Sequence, residues 1–259
     1  MIESLKKLDK KFNEIKNMGY VNSVRKGVTG VGATFEYLLG KNEDSFEIPD
    51  YYGIEIKCKR SYSKSYIGLF NAVPTGGGYY EVKRLRDRYG YPYKEHKDLK
   101  MLYSDIFANN DTKVGLWYYF RLYVDKEREK IILLIYNYKH ELIDGSTYWD
   151  FDILKEKIER KLHILALVKA WPNNINGEDY YKNYKIKYYI LKDFDCFVQA
   201  IIDGKIKITL RIGSFFDDKR YGMVDSHGVG FYIKEDDLLS IFDLYRDNVF
   251  LFENYAGGQ

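Results

Sequence analysis

Three charged residues, Asp50, Glu55 and Lys57, have the types and spacing that hydrolysis of a phosphodiester requires. That reaction needs a hard cation held by oxygen ligands, an oriented water and a positive group close to the phosphate. Residues 53–59 alternate between apolar and polar side chains, which predicts a strand with Glu55 and Lys57 on one face. Asp50 precedes this strand and can turn in beside them. We therefore expect Asp50 and Glu55 to bind Mg²⁺ and Lys57 to lie on the scissile phosphate and its attacking water.

The same three residues also fit a plainer interpretation, a surface strand that carries an ion pair. The chain contains 41 Lys and Arg and 38 Asp and Glu residues, so an Asp-x4-Glu-x-Lys match arises easily by chance. In that interpretation Glu55 pairs with Lys57 or Lys59 across one face. Taken alone, the spacing favours the ion pair, and the decision depends on the surrounding sequence.

The elements that position these residues can be predicted from periodicity. Leu5, Leu8, Phe12 and Ile15 fall at helical spacing and predict a helix over residues 3–17. In the first half of the chain we predict a glycine-rich turn at 27–32, a helix at 34–39 closed by Gly40, strands at 53–59 and 66–73, a helix at 81–89 and a hairpin of 114–124 with 131–138. In the second half we predict a helix at 151–161, strands at 163–171 and 184–191 separated by a polar loop at 172–178, and a helix at 193–202. Strands at 205–212 and 228–233 and a closing helix at 235–245 complete the predicted elements. This mixture predicts an α/β (α+β) fold with a mixed or antiparallel sheet flanked by helices.

Composition excludes several classes of protein. With 259 residues, 46% of them hydrophobic and 31% charged, the chain has the profile of a globular protein rather than a disordered one. The net charge of +3 does not by itself indicate a polyanion partner, although residues 57–64 and 83–100 are locally basic. Two cysteines are too few for a disulfide scaffold, and neither has metal-binding spacing. No signal peptide or long apolar run is present, so we expect a soluble, cytoplasmic protein without a membrane partner.

An ordered set of motifs surrounds the Asp-x4-Glu-x-Lys residues. A glycine-rich segment, Gly27–Gly40, carries Glu36; a second segment, Leu69–Pro74, follows the predicted strand; and a His-Gly segment begins at His227. In this order the motifs resemble those of the MvaI/BcnI family of restriction endonucleases. These enzymes are relatives of the mismatch-repair nicking endonuclease MutH within the PD-(D/E)xK nuclease superfamily.

The resemblance implies an architecture as well as a reaction. It is strongest over residues 27–74 and 225–245, whereas residues 80–220 match only in general layout. The implied fold is restriction-endonuclease-like, with two lobes that form a DNA cleft. We expect a catalytic lobe at approximately 1–110 and a DNA-recognition lobe at 111–259, the latter possibly returning to the catalytic lobe.

The resemblance also assigns roles at the matched positions. Asp50, Glu55 and Lys57 match the catalytic set, and Glu36 matches a helix glutamate that faces the active site. Glu36 alone is equally consistent with a solvated helix residue or with a group that orients Lys57 or a metal-bound water. The implied activity is that of a Mg²⁺-dependent type II restriction endonuclease acting on double-stranded DNA and leaving 5′-phosphate and 3′-hydroxyl ends.

Further residues are candidates for contacts with DNA. The glycines near residue 30 suit a close approach to a phosphate, although they also suit a tight connection. Arginine is the usual bidentate partner of guanine, and a lone histidine next to glycine is more often structural than catalytic. The predicted DNA contacts are Thr29, Gly30, Lys59, Arg60, Arg220 and His227.

Two rival functions remain open on the sequence alone. A MutH-like strand-nicking endonuclease would use the same residues, and a non-catalytic DNA-binding protein would carry them as a surface ion-pair set. The family resemblance favours restriction, with a cognate DNA methyltransferase as the genetic partner and a monomer as the possible oligomeric state.

Overall fold

The computed structural model describes residues 2–40 and 49–247, and side chains as far as Tyr245. The chain divides into two compact units: unit 1 comprises Met1–Ser65, Ile158–Lys192 and Phe242–Gln259, and unit 2 comprises Tyr66–Lys157 and Asp193–Ile241. Residue 110, the approximate boundary of the predicted lobes, lies within unit 2. The assignment of catalysis and recognition to separate lobes around a cleft stays a prediction.

The described elements are helices interspersed with runs of consecutive strands, the longest run being six strands between the third and fourth helices. In chain order they are α1 (Ile2–Asn17), β1 (Val21–Asn22), α2 (Gly30–Leu38), β2 (Glu55–Arg60), β3 (Ile67–Asn71), α3 (Gly78–Tyr89), β4 (Tyr91–Pro92), β5 (Lys100–Ile106), β6 (Thr112–Val114), β7 (Tyr118–Asp125), β8 (Lys130–Asn137), β9 (Leu142–Asp150), α4 (Phe151–Leu162), β10 (Ile164–Ile175), β11 (Glu178–Leu191), α5 (Phe194–Ile202), β12 (Ile206–Ser214), β13 (Val224–Ile233), a 3₁₀ helix (Glu235–Ser240) and β14 (Phe242–Asp247). The predicted α+β class is confirmed.

Unit 1 is built on a mixed sheet. Strands β10 and β11 pair antiparallel, β2 runs parallel beside β10, and β1 and β14 both pair with β11. Leu5, Leu8, Phe12 and Ile15 of α1 are all buried and share one core with Phe35 of α2 and with β2, β10 and β11. The apolar spacing that predicted α1 is therefore the face that this helix buries against the sheet.

The predicted polar loop at 172–178 is wrong, because β10 and β11 continue through it as a long hairpin. Asn176 and Gly177 form the turn, with φ angles of 52° and 83°. Positive φ at both central residues is the geometry of a type I′ turn, for which Asn-Gly is the preferred sequence. The polar side chains of 172–178 thus belong to an exposed hairpin end rather than to a loop.

The predicted closing helix at 235–245 is also wrong. A 3₁₀ helix ends at Ser240, and β14 then pairs with β11, with Phe242 opposite Leu191. Leu238, Ile241 and Phe242 are buried, whereas Leu239 and Leu244 are exposed, so the burial follows helical spacing although the backbone from Phe242 is a strand. Backbone hydrogen bonds offered by β11 outweigh the local helical preference of this segment.

Unit 2 contains two sheets among its described residues. One has the strand order β3-β13-β12-β5-β4 and the other the order β6-β7-β8-β9. In the first sheet Ile208, Leu210 and Phe231 are fully buried, while Thr209 and Arg211 alternate with them on the opposite face. This second face carries polar side chains, Thr209 and Arg211 among them.

Most predicted elements are confirmed with shifted ends. Helix α2 begins four residues earlier than predicted, inside the glycine-rich segment, and β13 begins at Val224 rather than residue 228. Strands β5 and β9 were not predicted, since their polar and apolar residues alternate only in part. Among the helices of residues 2–40 and 49–247, none combines the length and apolar character that a membrane crossing requires.

A buried ionic network holds α3 against β9. Arg84 donates to Asp144 at 2.6 Å and, through Nε and Nη2, to Glu81 at 2.9 and 2.6 Å. Tyr89 also donates to Asp144, at 2.5 Å. Burial by itself raises the pKa of Asp144, but hydrogen bonds, including those from Tyr89 and Arg84, outweigh it and hold the pKa well below its usual range.

We expect Asp144→Asn to lower the free energy of unfolding at neutral pH by about 2 kcal/mol, because Arg84 and Tyr89 lose a charged hydrogen-bond acceptor in a buried site, although Arg84 keeps its pair with Glu81. A carboxyl whose pKa is lowered by folding stabilises the fold above its unfolded pKa of about 3.9, and this contribution is lost as the pH falls toward the folded pKa. Urea denaturation below about pH 5 should therefore show a smaller loss for Asp144→Asn than for the wild type. The exposed Asp218→Asn variant is the control, and equal pH profiles for Asp144→Asn and wild type would contradict the expectation.

Candidate active site

The turn before β2 brings Asp50 to the start of that strand. Tyr51 and Ile54 exchange backbone hydrogen bonds of 3.0 and 2.9 Å around Tyr52–Gly53, whose φ angles of 47° and 83° fit a type I′ turn. The chain therefore folds back, and Oδ2 of Asp50 accepts a hydrogen bond from the backbone N–H of Ile56 at 2.8 Å. The expected approach of Asp50 to the strand is confirmed.

Glu55 and Lys57 meet on one face of β2. Nζ of Lys57 donates to Oε1 of Glu55 at 2.5 Å, and Nζ of Lys161, near the end of α4, lies 3.6 Å from the same oxygen. The side chain of Glu55 is only 1% exposed, compared with 26% for Lys57 and 24% for Lys161. The ion pair of the plainer interpretation is thus present, but its carboxylate is buried rather than on a solvated surface.

The second oxygen of Glu55 is the feature that distinguishes this site. Burial raises the pKa of Glu55; Lys57 opposes this shift and the negative charge of Asp50 adds to it, and the net pKa lies above its usual value. Oε2 is buried and has no hydrogen-bond partner among residues 2–40 and 49–245. A carboxylate oxygen in that state is costly, and a cation placed beside it would remove the cost.

Glu36 on α2 lies within electrostatic reach of β2. Burial raises the pKa of the Cys58 thiol, and the charges of Glu36 and Asp50 raise it further. Oε1 of Glu36 lies 3.9 Å from the position that a Cβ on Gly32 would take, so the side chain extends along its own helix. Glu36 is therefore near the Cys58 side of the strand, and an orienting role toward Lys57 stays a prediction.

Two of the predicted DNA contacts are Arg60, the last residue of β2, and Gly30, the first residue of α2. A strand rises roughly 3.3 Å per residue, so Arg60, five residues after Glu55, is well separated from it along the strand. Nη2 of Arg60 donates to the backbone oxygen of Gly27 at 2.5 Å, and a Cβ on Gly30 would lie 2.3 Å from the backbone oxygen of Arg25. Gly30 is thus required by close packing within the protein, which is the tight-connection alternative.

The other two predicted contacts in unit 1 differ in accessibility. Thr29 is exposed at the N-cap of α2 and its side chain makes no capping hydrogen bond. Lys59 is buried, with 6% of its surface exposed, which does not favour a direct contact with DNA. The DNA-contact roles of these residues stay predictions, and Thr29 and Arg60 suit them better than Lys59 does.

The remaining predicted contacts, Arg220 and His227, belong to unit 2 and are both exposed. Arg220 pairs with Asp217 at 2.8 Å and stacks on Phe215, with its guanidinium 3.7 Å from the ring centre. Nε2 of His227 lies 3.6 Å from Asp225. These partners orient both side chains on the surface without burying them.

His227 also borders a cavity of about 640 Å³ on the polar face of the β12 sheet. Tyr103, Asp105, Thr209 and Arg211 line it as well. Asp105 accepts hydrogen bonds from Lys207 and, at 2.7 Å, from Thr209. Nε of Arg211 is buried, and the part of the chain that the structure describes offers it no hydrogen-bond partner. The cavity therefore presents fixed donors and acceptors on a rigid sheet.

The carboxylates near β2 fit a particular kind of metal site. Within residues 2–40 and 49–247, no group of three or more His, Cys, Asp or Glu side chains is placed to hold a metal ion. Asp50 and Glu55 supply two carboxylates, one of them with an unpartnered buried oxygen. Mg²⁺ is commonly held by one or two carboxylates together with waters and substrate phosphates. The donor set thus fits an ion whose coordination a substrate completes, and it does not fit a zinc site made by the protein alone.

Sequence reasoning missed two residues of interest, Lys161 and Asp105. Lys161 is far from the motif along the chain, and only the parallel pairing of β2 with β10 brings it near. Asp105 lies in β5, a strand that the sequence did not predict. The one local signal for Lys161 was its position, because it is a charged residue at the end of a helix that precedes a buried strand.

Comparison with known proteins agrees with this geometry. The MvaI/BcnI restriction endonuclease family model matches residues 9–242. The solved complex of restriction endonuclease MvaI with cognate DNA is 31% identical, covers 94% of this chain and 98% of its own, and superposes with a TM-score of 0.86. MvaI in the absence of DNA is 29% identical, with coverages of 95% and 98% and a TM-score of 0.63. The comparison with curated proteins found no match. The family match spans nearly the whole described chain, and we conclude that this protein belongs to the MvaI/BcnI restriction endonuclease family.

Proposed function

We propose that this chain is a Mg²⁺-dependent type II restriction endonuclease that hydrolyses double-stranded DNA at a specific short sequence. Membership of a restriction endonuclease family makes it a site-specific DNA endonuclease. The likeness to MvaI bound to its cognate DNA supports duplex DNA as the substrate. The finer assignment, the metal and the residues that hold it, depends on the arrangement around β2.

Asp50 and Glu55 are the proposed metal ligands. The observation that carries this assignment is the buried, unpartnered Oε2 of Glu55 at the strand where Asp50 also turns in. A divalent ion bound there would neutralise the charge that develops on the phosphate and activate water for attack. Lys57, 26% exposed, is the proposed cationic contact to the scissile phosphate and the attacking water. The resemblance to the family implies that hydrolysis leaves a 5′-phosphate and a 3′-hydroxyl.

Cleavage of plasmid and phage DNA tests the proposal. The purified protein should produce discrete fragments in Mg²⁺ and none in EDTA, and sequencing of the fragment ends should find one short sequence at every cut. Intact DNA in Mg²⁺, or ends with no shared sequence, would refute the assignment.

The same experiment separates the two rival functions. A MutH-like nickase would open only one strand of supercoiled plasmid, and would depend on an activating partner. A non-catalytic DNA-binding protein would retain DNA without producing new ends. Cleavage of both strands of unmethylated DNA by the protein alone supports restriction over both rivals.

We further propose a cytoplasmic enzyme, monomeric in solution, whose cognate DNA methyltransferase protects the host sequence. The basis is the restriction family itself, in which an unprotected recognition sequence would be cut in the host. A methyltransferase gene beside this one would support the pairing. Light scattering of the free protein measures the oligomeric state.

The cavity beside His227 in unit 2 is the proposed surface for reading bases. Arg211 and Asp105 lie on one sheet face with His227 at its border, and each offers hydrogen-bonding groups of fixed direction. Arginine donates in a fork to guanine O6 and N7, and a carboxylate accepts from cytosine N4. The unpartnered Nε of Arg211 supports a ligand there that accepts hydrogen bonds.

Arg211→Ala is expected to slow cleavage at the recognition sequence by roughly 10- to 100-fold, because one bidentate base contact contributes about 1–3 kcal/mol of discrimination. Binding to unrelated DNA should change much less, since phosphate contacts dominate it. Arg128→Ala, at a 76% exposed side chain of the same unit, is the matched control. Unchanged cleavage rates and unchanged discrimination between cognate and mismatched sites in Arg211→Ala would contradict base readout here.

A further inference from the structure

Lys161 approaches the same carboxylate oxygen as the proposed catalytic lysine. Its Nζ lies 3.6 Å from Oε1 of Glu55, and Lys57 donates to that oxygen at 2.5 Å. Lys161 is outside the Asp-x4-Glu-x-Lys motif, and the family motifs identified in the sequence do not include it. Two ammonium groups beside one oxygen of a 1% exposed carboxylate require an explanation.

The fold fixes Lys161 at this place. Helix α4 ends at Leu162 and β10 begins at Ile164, so Lys161 stands at the entry to the strand beside β2. In the parallel register Leu165 lies opposite Glu55. Ile158 and Leu162, on either side of Lys161 along the helix, are fully buried. Packing thus sets the backbone position of Lys161, from which its Nζ reaches Glu55.

Catalysis makes conflicting demands on Lys57. It must leave Glu55 to reach a phosphate, and its departure removes the hydrogen bond that Oε1 now receives. A metal ion at Oε2 would compensate that oxygen, but Oε1 would then lie buried without the hydrogen bond from Lys57. Breaking a buried ion pair by removing one partner is strongly unfavourable. A second cation within reach of Oε1 relieves this conflict.

We propose that Lys161 is a positioning residue that compensates Glu55 when Lys57 turns to the scissile phosphate. Lys161 thereby keeps the carboxylate of Glu55 in place and leaves Lys57 available to the substrate. The inference rests on the proposed function in so far as it gives Lys57 a phosphate to approach. Its structural part, that either lysine alone can compensate Glu55, is independent of any catalytic activity.

Thermal unfolding of single and double variants tests the structural part. Lys57→Met and Lys161→Met should each lower Tm by only a few degrees, since the other lysine remains. The double variant should lose roughly 8 °C, more than the sum of the single losses, because no cation then faces the buried carboxylate. In the Glu55→Gln background the two replacements should become nearly additive and small. Additive losses in the Glu55 protein would overturn the proposal.

Single-turnover cleavage tests the catalytic part. Lys161→Met should lower the rate constant about 10-fold without changing DNA affinity, and Lys161→Arg should restore most of the rate because it keeps the charge. Lys155→Met, at an exposed lysine of the same helix, is the control and should match the wild type. Wild-type rates in Lys161→Met, or no rescue by arginine, would overturn the role of Lys161. A wild-type protein that cuts no DNA would instead refute the proposed function. The Tm values of the single and double variants would still show whether both lysines compensate Glu55.

Discussion

Replacing Lys57 by alanine is expected to slow DNA cleavage by roughly 10³-fold while DNA affinity stays largely unchanged, since a group that stabilises charge in the transition state contributes on this scale. Lys57 is one-quarter exposed and its hydrogen bond to Glu55 is its contact in the free protein, so the lysine is available to a substrate. Asp50→Asn should have a comparable effect because it weakens the hold on the divalent ion. Single-turnover cleavage and electrophoretic mobility shifts measure the two quantities separately.

The matched control is Lys6→Ala, at an exposed position on α1. It removes the same charge and should leave both cleavage and binding unchanged. If Lys57→Ala and Asp50→Asn both cleave at wild-type rates, the active site lies elsewhere. If both lose binding in proportion to cleavage, these residues hold DNA rather than perform chemistry.

Glu55→Gln is expected to abolish cleavage and yet to leave the protein as stable as the wild type or more so. Its carboxyl is 1% exposed and Oε2 has no hydrogen-bond partner. Burial, opposed by Lys57 and assisted by Asp50, raises the pKa of Glu55. A carboxyl whose pKa is raised by folding destabilises the fold as the pH rises from its unfolded value of about 4.3 through the folded value. Removing the charge should therefore raise the free energy of unfolding by about 1 kcal/mol at neutral pH. Active sites commonly keep such destabilising groups because function requires them.

Urea denaturation at two pH values measures this effect. The gain of Glu55→Gln over the wild type should be present at neutral pH and vanish below about pH 4, where the carboxyl is protonated in both states. Glu159→Gln, an exposed position on α4, should show no such difference. A clear loss of stability at neutral pH in Glu55→Gln would mean that the ion pairs outweigh the burial of the carboxylate.

Local sequence patterns predicted the parts of the site that depend on local structure. The alternation over residues 53–59 placed Glu55 and Lys57 on one face of a strand, and they do meet there. The order of motifs led to the family, which the match over residues 9–242 confirms. Periodicity of two or of 3.6 residues is a property of a single element, so one sequence is enough to detect it.

Local sequence patterns could not predict the features that depend on long-range strand pairing. Lys161 reaches Glu55 only because β10 runs parallel to β2, and nothing near Lys161 in the sequence encodes that partner. The closing segment has helical spacing, but hydrogen bonds to β11 make part of it β14. Asp105 was missed because β5 is a sheet strand whose own alternation is weak. In each case tertiary contacts decided the structure, and local propensity did not.

Diffraction from crystals of the protein bound to its DNA in Mn²⁺ tests the central claim most directly, because anomalous scattering locates the ion itself. We expect a peak about 2.1 Å from an oxygen of Asp50 and from Oε2 of Glu55, with a DNA phosphate completing its coordination. The account would be contradicted if the ion is bound away from both carboxylates in a complex that cleaves its DNA when metal is added.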